Sequence, residues 1–215
     1  KTLLENNTLE QFEKLSFFYN GFIEDVQKFA RAVVLEQQGI DRLTGLKNNT
    51  NLEREFQIEM ERFSREGHPF CVGLARIDDF DEIEATLGTE MADEMIVRTS
   101  HLVQKSLRSY DVAFRTKRSQ FVLLLKQSDI VGGQRAFVRL RNILEAAGET
   151  YKVEGKEEPV SLSCCVAAPL PDDSFDNLFD NLCFDLDKQI KESGSVLTYQ
   201  ELSPLLRFVN EEQSG

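Results

Sequence analysis

The sequence predicts a mixed α/β fold, a mostly antiparallel sheet sandwiched by helices and preceded by one long helix. Three observations carry this expectation. The first 38 residues contain no proline and repeat apolar side chains at helical spacing. From about residue 48 onward, helical patterns alternate with short apolar runs such as Phe121-Val122-Leu123-Leu124-Leu125. The mixture of a closely spaced hairpin with crossover helices then argues for a sheet that is mainly antiparallel.

In chain order, residues 1–38 carry Phe12, Leu15, Tyr19, Phe22, Val26, Phe29 and Val33 in alternating steps of three and four, the seam of a coiled coil. That seam predicts a homodimer, with an amphipathic helix packed on its own domain as the alternative. Gly39 ends the helix. Residues 48–66 read as a helix and Phe70 to Ala75 as a buried strand. A helix over 88–107 is followed by strands at about 111–116 and 120–126. A helix at 133–147, a strand at 160–168, a helix at 174–192 and a short strand at 195–199 complete the domain. Residues 200–215 are weakly patterned and are expected to fray. The organisation is thus an N-terminal helix (1–38), a globular domain (39–199) and a tail (200–215).

Of the 215 residues, 41% are hydrophobic and 29% charged, as in soluble globular proteins. No apolar run reaches the roughly 20 residues that span a bilayer, and the charged start resembles no signal peptide. The absence of an initiator Met raises the expectation of a piece of a longer protein. A net charge of −12 argues against nucleic acid and anionic membranes as partners, because phosphate repels such a surface. Basic residues nevertheless cluster between Arg108 and Arg141, where a small anion could be held. Cys71, Cys164, Cys165 and Cys183 lie in apolar stretches without zinc-site spacing, which predicts free thiols in a reducing cytoplasm. His68 and His101 have no partner at ligand spacing.

Several motifs occur in an order and spacing that resemble the GGDEF (diguanylate cyclase) domain family. Asp41-Arg42-Leu43-Thr44-Gly45-Leu46 with Asn48 is similar to its DxLTGLxNR segment. Ile77-Asp78-Asp79-Phe80 with Ile83 and Gly88 resembles DIDxFKxIND…GH, and Ala92-Asp93 stands where the family has Gly-Asp. Asp111-Val112-Ala113-Phe114-Arg115, Ser163 to Ala167 and Lys191-Glu192-Ser193-Gly194 resemble DxxxR, SIGVA and KxxG. The resemblance covers about residues 41–199. It implies a five-stranded, mostly antiparallel central sheet like that of nucleotidyl cyclase palms, and condensation of two GTP molecules across a dimer with the help of metal ions.

The residues that resemblance would make catalytic are replaced. Lys117-Arg118-Ser119-Gln120-Phe121 stands in place of the signature pentapeptide, and only the Phe survives. Lys117 and Arg118 carry Cβ atoms where two glycines let the backbone approach the nucleotide. Ser119 and Gln120 are neutral where two carboxylates would bind a hard cation. Arg76 falls at the other metal-binding Asp, so a cation sits where Mg²⁺ would. Glu84 replaces a guanine-reading Asn, while Asp93 and Lys191 keep the positions of a base and a phosphate contact. The expectation is therefore no cyclase activity, no metal and no cofactor.

Arg108-Ser109-Tyr110-Asp111 matches the RxxD of the family's product-inhibition site, and Arg139 falls where a second arginine joins it. Arg62 lies where some members reach across from a second domain. An arginine fork suits the O6/N7 edge of guanine, and a carboxylate suits its N1–H and N2–H₂ edge. The resemblance thus implies a cyclic di-GMP receptor that signals to a protein partner. Two alternatives remain open at this point: a dimerisation scaffold that binds no nucleotide, and a GTP sensor built on Asp93 and Lys191.

Overall fold

A computed structural model describes residues 2–153, 156–171, 173–189 and 196–199. The chain divides into two compact units, Lys1–Arg42 and Leu43–Gly215.

The first unit is helix α1, Thr2–Gln37, whose 36 residues extend over about 54 Å at 1.5 Å per residue. Gly39, at φ +70°, takes the left-handed conformation that stops it, as the sequence predicts. The predicted seam residues Phe12, Leu15, Tyr19, Phe22, Val26 and Phe29 are 46–70% exposed, and Phe18 widens the same stripe. Among the described residues, no helix is long and apolar enough to cross a membrane.

The second unit is built on strands β1 (Cys71–Ile77), β2 (Val112–Lys117), β3 (Gln120–Leu125), β6 (Leu162–Ala167) and β7 (Val196–Tyr199). A separate hairpin comprises β4 (Thr150–Val153) and β5 (Lys156–Pro159). The five-stranded sheet runs β2-β3-β1-β6-β7 and is antiparallel except for the β6–β7 pair. The fold class, including the five strands the family resemblance implies, matches this architecture.

Because side chains alternate across a strand, each strand feeds two cores. Cys71, Ala75, Ile77, Phe121, Leu123, Leu125, Cys164 and Val166 face one side. Helices α3 (Phe80–Leu87), α4 (Thr89–Ser106) and α5 (Ile130–Ala147) cover it with Ile83, Ile96, Val103, Phe137 and Leu140. Val72, Leu74, Phe114, Val122, Leu124 and Cys165 face the other side, under α2 (Asn49–Glu66) and α6 (Phe175–Gln189). Gly73, mid-β1, lets α5 close on the sheet: a Cβ there would lie 2.1 Å from Cε2 of the fully buried Phe137 ring.

Most predicted elements lie within a few residues of the observed ones, and three differences have physical causes. Helix α5 starts at Ile130 rather than 133, because Asp129 caps it by accepting from the Gly132 N–H at 2.7 Å. Helix α3 and the β4–β5 hairpin are absent from the sequence expectation. The fraying expected at 200–215 and the strand end at 195 lie outside the described residues.

Candidate functional site

The β2–β3 hairpin carries a charged cluster at each end. At its closed end, the tip is held down at two backbone carbonyls. The Ile77 N–H, at the end of β1, donates to the Ser119 carbonyl at 3.0 Å. Nε and Nη2 of Arg115 donate to the Arg118 carbonyl at 3.1 and 3.0 Å. A register shift between Arg115 and Lys117 marks a bulge that turns the tip. Lys117 is exposed, and the buried Gln120 donates to the Thr116 hydroxyl at 3.0 Å.

This tip brings the side chain of Arg118 between two carboxylates. Its Nε lies 2.9 and 2.8 Å from the two oxygens of Glu84, near the end of α3, and its Nη2 also donates to Glu84. The same Nη2 lies 3.0 Å from Asp93 Oδ1 on α4, and the guanidinium carbon sits 5.8 Å from the Phe80 ring centre. The hydrogen bond from Arg118 holds the Glu84 carboxyl below its usual range, aided by the positive charge and the Thr89 hydroxyl. Reciprocally, Glu84 first and Asp93 second hold the Arg118 guanidinium all the more firmly protonated.

Arg76, near the end of β1, is flanked by Gln120 and Ser163 on the neighbouring strands. It donates from Nη1 to Asp187 Oδ1 of α6 at 2.6 Å. A cavity of about 460 Å³ opens beside it, lined by Arg76, Asp78, Asp79, Glu82, Ser119 and Asp187. Asp78 is occupied structurally: Oδ1 accepts from the Ser163 N–H at 3.1 Å and Oδ2 from the Ser161 hydroxyl at 2.7 Å. Asp79 opens α3 with left-handed backbone, at φ +51°. Beside Asp78, Asp79 and Glu82 the lining carries the Arg76 guanidinium and the neutral Ser119, and among the described residues no group of three or more His, Cys, Asp or Glu is placed to hold a metal ion. Lys191 lies outside the described residues.

At the hairpin's open end, Arg108, Asp111 and Arg139 gather around the end of α4. The Arg108 N–H donates to Asp111 Oδ2 and the Lys126 N–H to Oδ1, each at 3.1 Å, while the Asp111 N–H donates back to the Arg108 carbonyl. Asp111 therefore clamps the α4–β2 turn to the end of β3, and each oxygen retains a further lone pair. Arg139, on α5, donates from Nε to the Ser106 carbonyl at 2.8 Å, capping α4. Arg108 is exposed, 6.0 Å over the Tyr110 ring and donating to its hydroxyl at 3.0 Å.

Arg62, on α2, joins this cluster through residues that motif matching misses. It donates to Glu59 Oε1 at 2.8 Å, and the Lys126 amine lies 3.1 Å from the same oxygen. Lys126 Nζ also lies 3.5 Å from Glu55, whose other oxygen accepts from Lys47 at 2.5 Å. Burial raises the Glu55 pKa, but Lys47 and Lys126 together outweigh it and leave the carboxyl below its usual range. Glu59 follows Leu52 and Phe56 on the buried stripe of α2 and is only 6% exposed. A charge at that stripe position is the signal in the sequence that could have found the network.

The family profile described as diguanylate cyclase, GGDEF domain, matches residues 38–183. Diguanylate cyclase DosC of Escherichia coli is 29% identical over 132 residues, 61% of this chain and 28% of that protein. Among solved structures, Pseudomonas aeruginosa diguanylate cyclase SiaD, in complex with its activator SiaC, superposes with a TM-score of 0.67 at 22% identity, covering 92% of this chain and 80% of that one. The GGDEF domain of DgcB from Caulobacter crescentus, in complex with cyclic di-GMP, superposes with a TM-score of 0.67 at 16% identity, covering 75% of this chain and 93% of that one. The chain spans less than a third of the length of curated relatives such as DosC.

Proposed function

Because the chain belongs to the GGDEF family of diguanylate cyclase domains, we propose that it is a catalytically silent member acting as a cyclic di-GMP receptor in the cytoplasm. The observation that carries this is the convergence of Arg108, Asp111 and Arg139 on one helix end, with Arg62 linked to them through Glu59 and Lys126. Cyclic di-GMP is a dianion bearing two guanines. The exposed Arg108 can turn from Tyr110 to fork the O6/N7 edge of one guanine. Asp111, already fixed by two backbone N–H groups, keeps lone pairs for the N1–H and N2–H₂ edge. Arg139 and Arg62 supply positive charge for phosphate in an otherwise acidic protein.

Catalytic silence rests on the other end of the hairpin. Two-metal phosphoryl transfer needs carboxylates to hold the cations, and Arg76, Ser119 and Gln120 offer none. The domain works without metal or cofactor. The exposed stripe of α1 supports parallel pairing with a second copy, and the receptor reports binding to a protein partner. The test is incubation with GTP and Mg²⁺ or Mn²⁺, followed by chromatography. No cyclic di-GMP should form, whereas the same protein should give heat when titrated with it. Turnover abolished by Arg76→Glu, and so not due to a contaminant, would refute the assignment.

A further inference from the structure

We propose that Arg118 is an internal occupant of a base-binding fork, and that it sets the protein's nucleotide specificity by closing the hairpin tip to guanine. A guanidinium presents parallel N–H donors in one plane, the same kind of donor edge that N1–H and N2–H₂ of guanine offer a carboxylate. Arg118 directs these donors at Glu84, its Nε from 2.8–2.9 Å, reaches Asp93 at 3.0 Å, and holds its guanidinium carbon 5.8 Å from the centre of the buried Phe80 ring. Two carboxylates thus converge on one planar cation, and that cation comes from the chain itself.

The occupant is also pre-positioned. The Arg115 guanidinium holds the Arg118 carbonyl, and the Ile77 N–H holds the Ser119 carbonyl, so the turn that aims the side chain is fixed through two of its main-chain carbonyls. A group tethered this closely competes at an effective concentration in the millimolar range or above. A free guanine must displace it and is outcompeted at micromolar levels. The inference is independent of cyclic di-GMP binding, which occupies the opposite end of the hairpin. It removes the reading of the tip as a GTP sensor in the native chain while leaving the base fork intact beneath Arg118.

The experiment compares the wild-type chain with Arg118→Ala by calorimetry, using guanosine, inosine and adenosine as probes. These neutral nucleosides avoid the repulsion a triphosphate would meet among Asp78, Asp79 and Glu82. The hydrogen bonds to the Arg118 and Ser119 carbonyls survive the substitution, so the fold should be retained, as circular dichroism will check. Arg118→Ala should bind guanosine at least tenfold more tightly than the wild type. It should prefer guanosine to inosine, which lacks the 2-amino group, and to adenosine. Adding Asp93→Asn or Glu84→Gln to Arg118→Ala should remove the gain. Equal guanosine affinity in the two proteins, no binding by either, or a gain that ignores the identity of the base would each overturn the proposal. Titrating cyclic di-GMP into the same two proteins reports separately on the RxxD end, where Arg118→Ala should leave affinity unchanged.

Discussion

At the residue scale, the molecule uses four arginines in four distinct ways. Arg76 neutralises Asp187 at a strand end, Arg118 fills a fork of two carboxylates, and Arg139 caps a helix. Arg108 alone of the four is spent on a neutral hydroxyl and an aromatic face, contacts that the proposed guanine ligand would replace at little cost. The Glu84–Arg118 pair makes a pH prediction whose sign follows from the direction of the shift. The folded-state pKa of Glu84 is depressed, so the pair is fully formed above the ordinary glutamate range and is lost as pH falls through that lowered value. A side-chain carboxyl titration followed by NMR should show Glu84 protonating below the ordinary glutamate range, and Arg118→Ala should move it back up toward that range. A Glu84 titration that ignores Arg118 would mean the pair does not form in solution. The replacements at 76 and 117–120 are legible in the sequence as losses. That Arg118 lies between Glu84 and Asp93 is not legible, because it depends on where the bulged hairpin tip aims one side chain.

At the scale of elements, what the sequence reveals depends on how much apolar surface an element buries. The strands β1, β3 and β6 read directly, since nearly every side chain in them is buried between two helical layers. Helix α3 does not, because it is eight residues long, starts without a side-chain cap and carries Asp81, Glu82 and Glu84. Strand β5 is exposed throughout and gives no hydrophobic alternation; backbone pairing with β4 alone defines it. Helix α1 is the reverse case, an unmistakable pattern with an exposed stripe. That stripe, from Phe12 to Phe29, should be buried against a second copy. Light scattering should therefore give a dimer for the full chain and a monomer for a chain starting at Gly39. Equal masses for the two would exclude α1 as the pairing element.

At the scale of the whole molecule, the two charged clusters sit at opposite ends of one hairpin. Asp111 precedes β2 and Lys126 follows β3, whereas Lys117 to Gln120 form the tip, so about six residues at 3.3 Å each separate them by roughly 20 Å. Under the proposed receptor function, that distance separates the replaced residues of the tip from the groups that would hold cyclic di-GMP. It also makes the receptor assignment separable from every property of the tip. The site at the open end is partly legible: the RxxD spacing and Arg139 stand in the sequence, but Lys126 and Glu59, which tie Arg62 to Asp111, emerge only when α2 packs beside the end of β3.

The receptor assignment stands on Arg108 and Asp111, and calorimetry with cyclic di-GMP on four proteins reads both. A hydrogen bond to a charged group contributes about 1.5–3 kcal/mol, so Arg108→Ala should weaken binding by roughly ten- to a hundredfold or more. Asp111→Ala should weaken it as well, through loss of the guanine acceptor and of the clamp on Lys126. Arg65→Ala, which removes an equal charge from an exposed pair with Glu61, should bind like the wild type. Wild-type protein that gives no heat with cyclic di-GMP, or an Arg108→Ala variant that binds as tightly as the wild type, would contradict the assignment and leave a nucleotide-free dimerisation scaffold in its place.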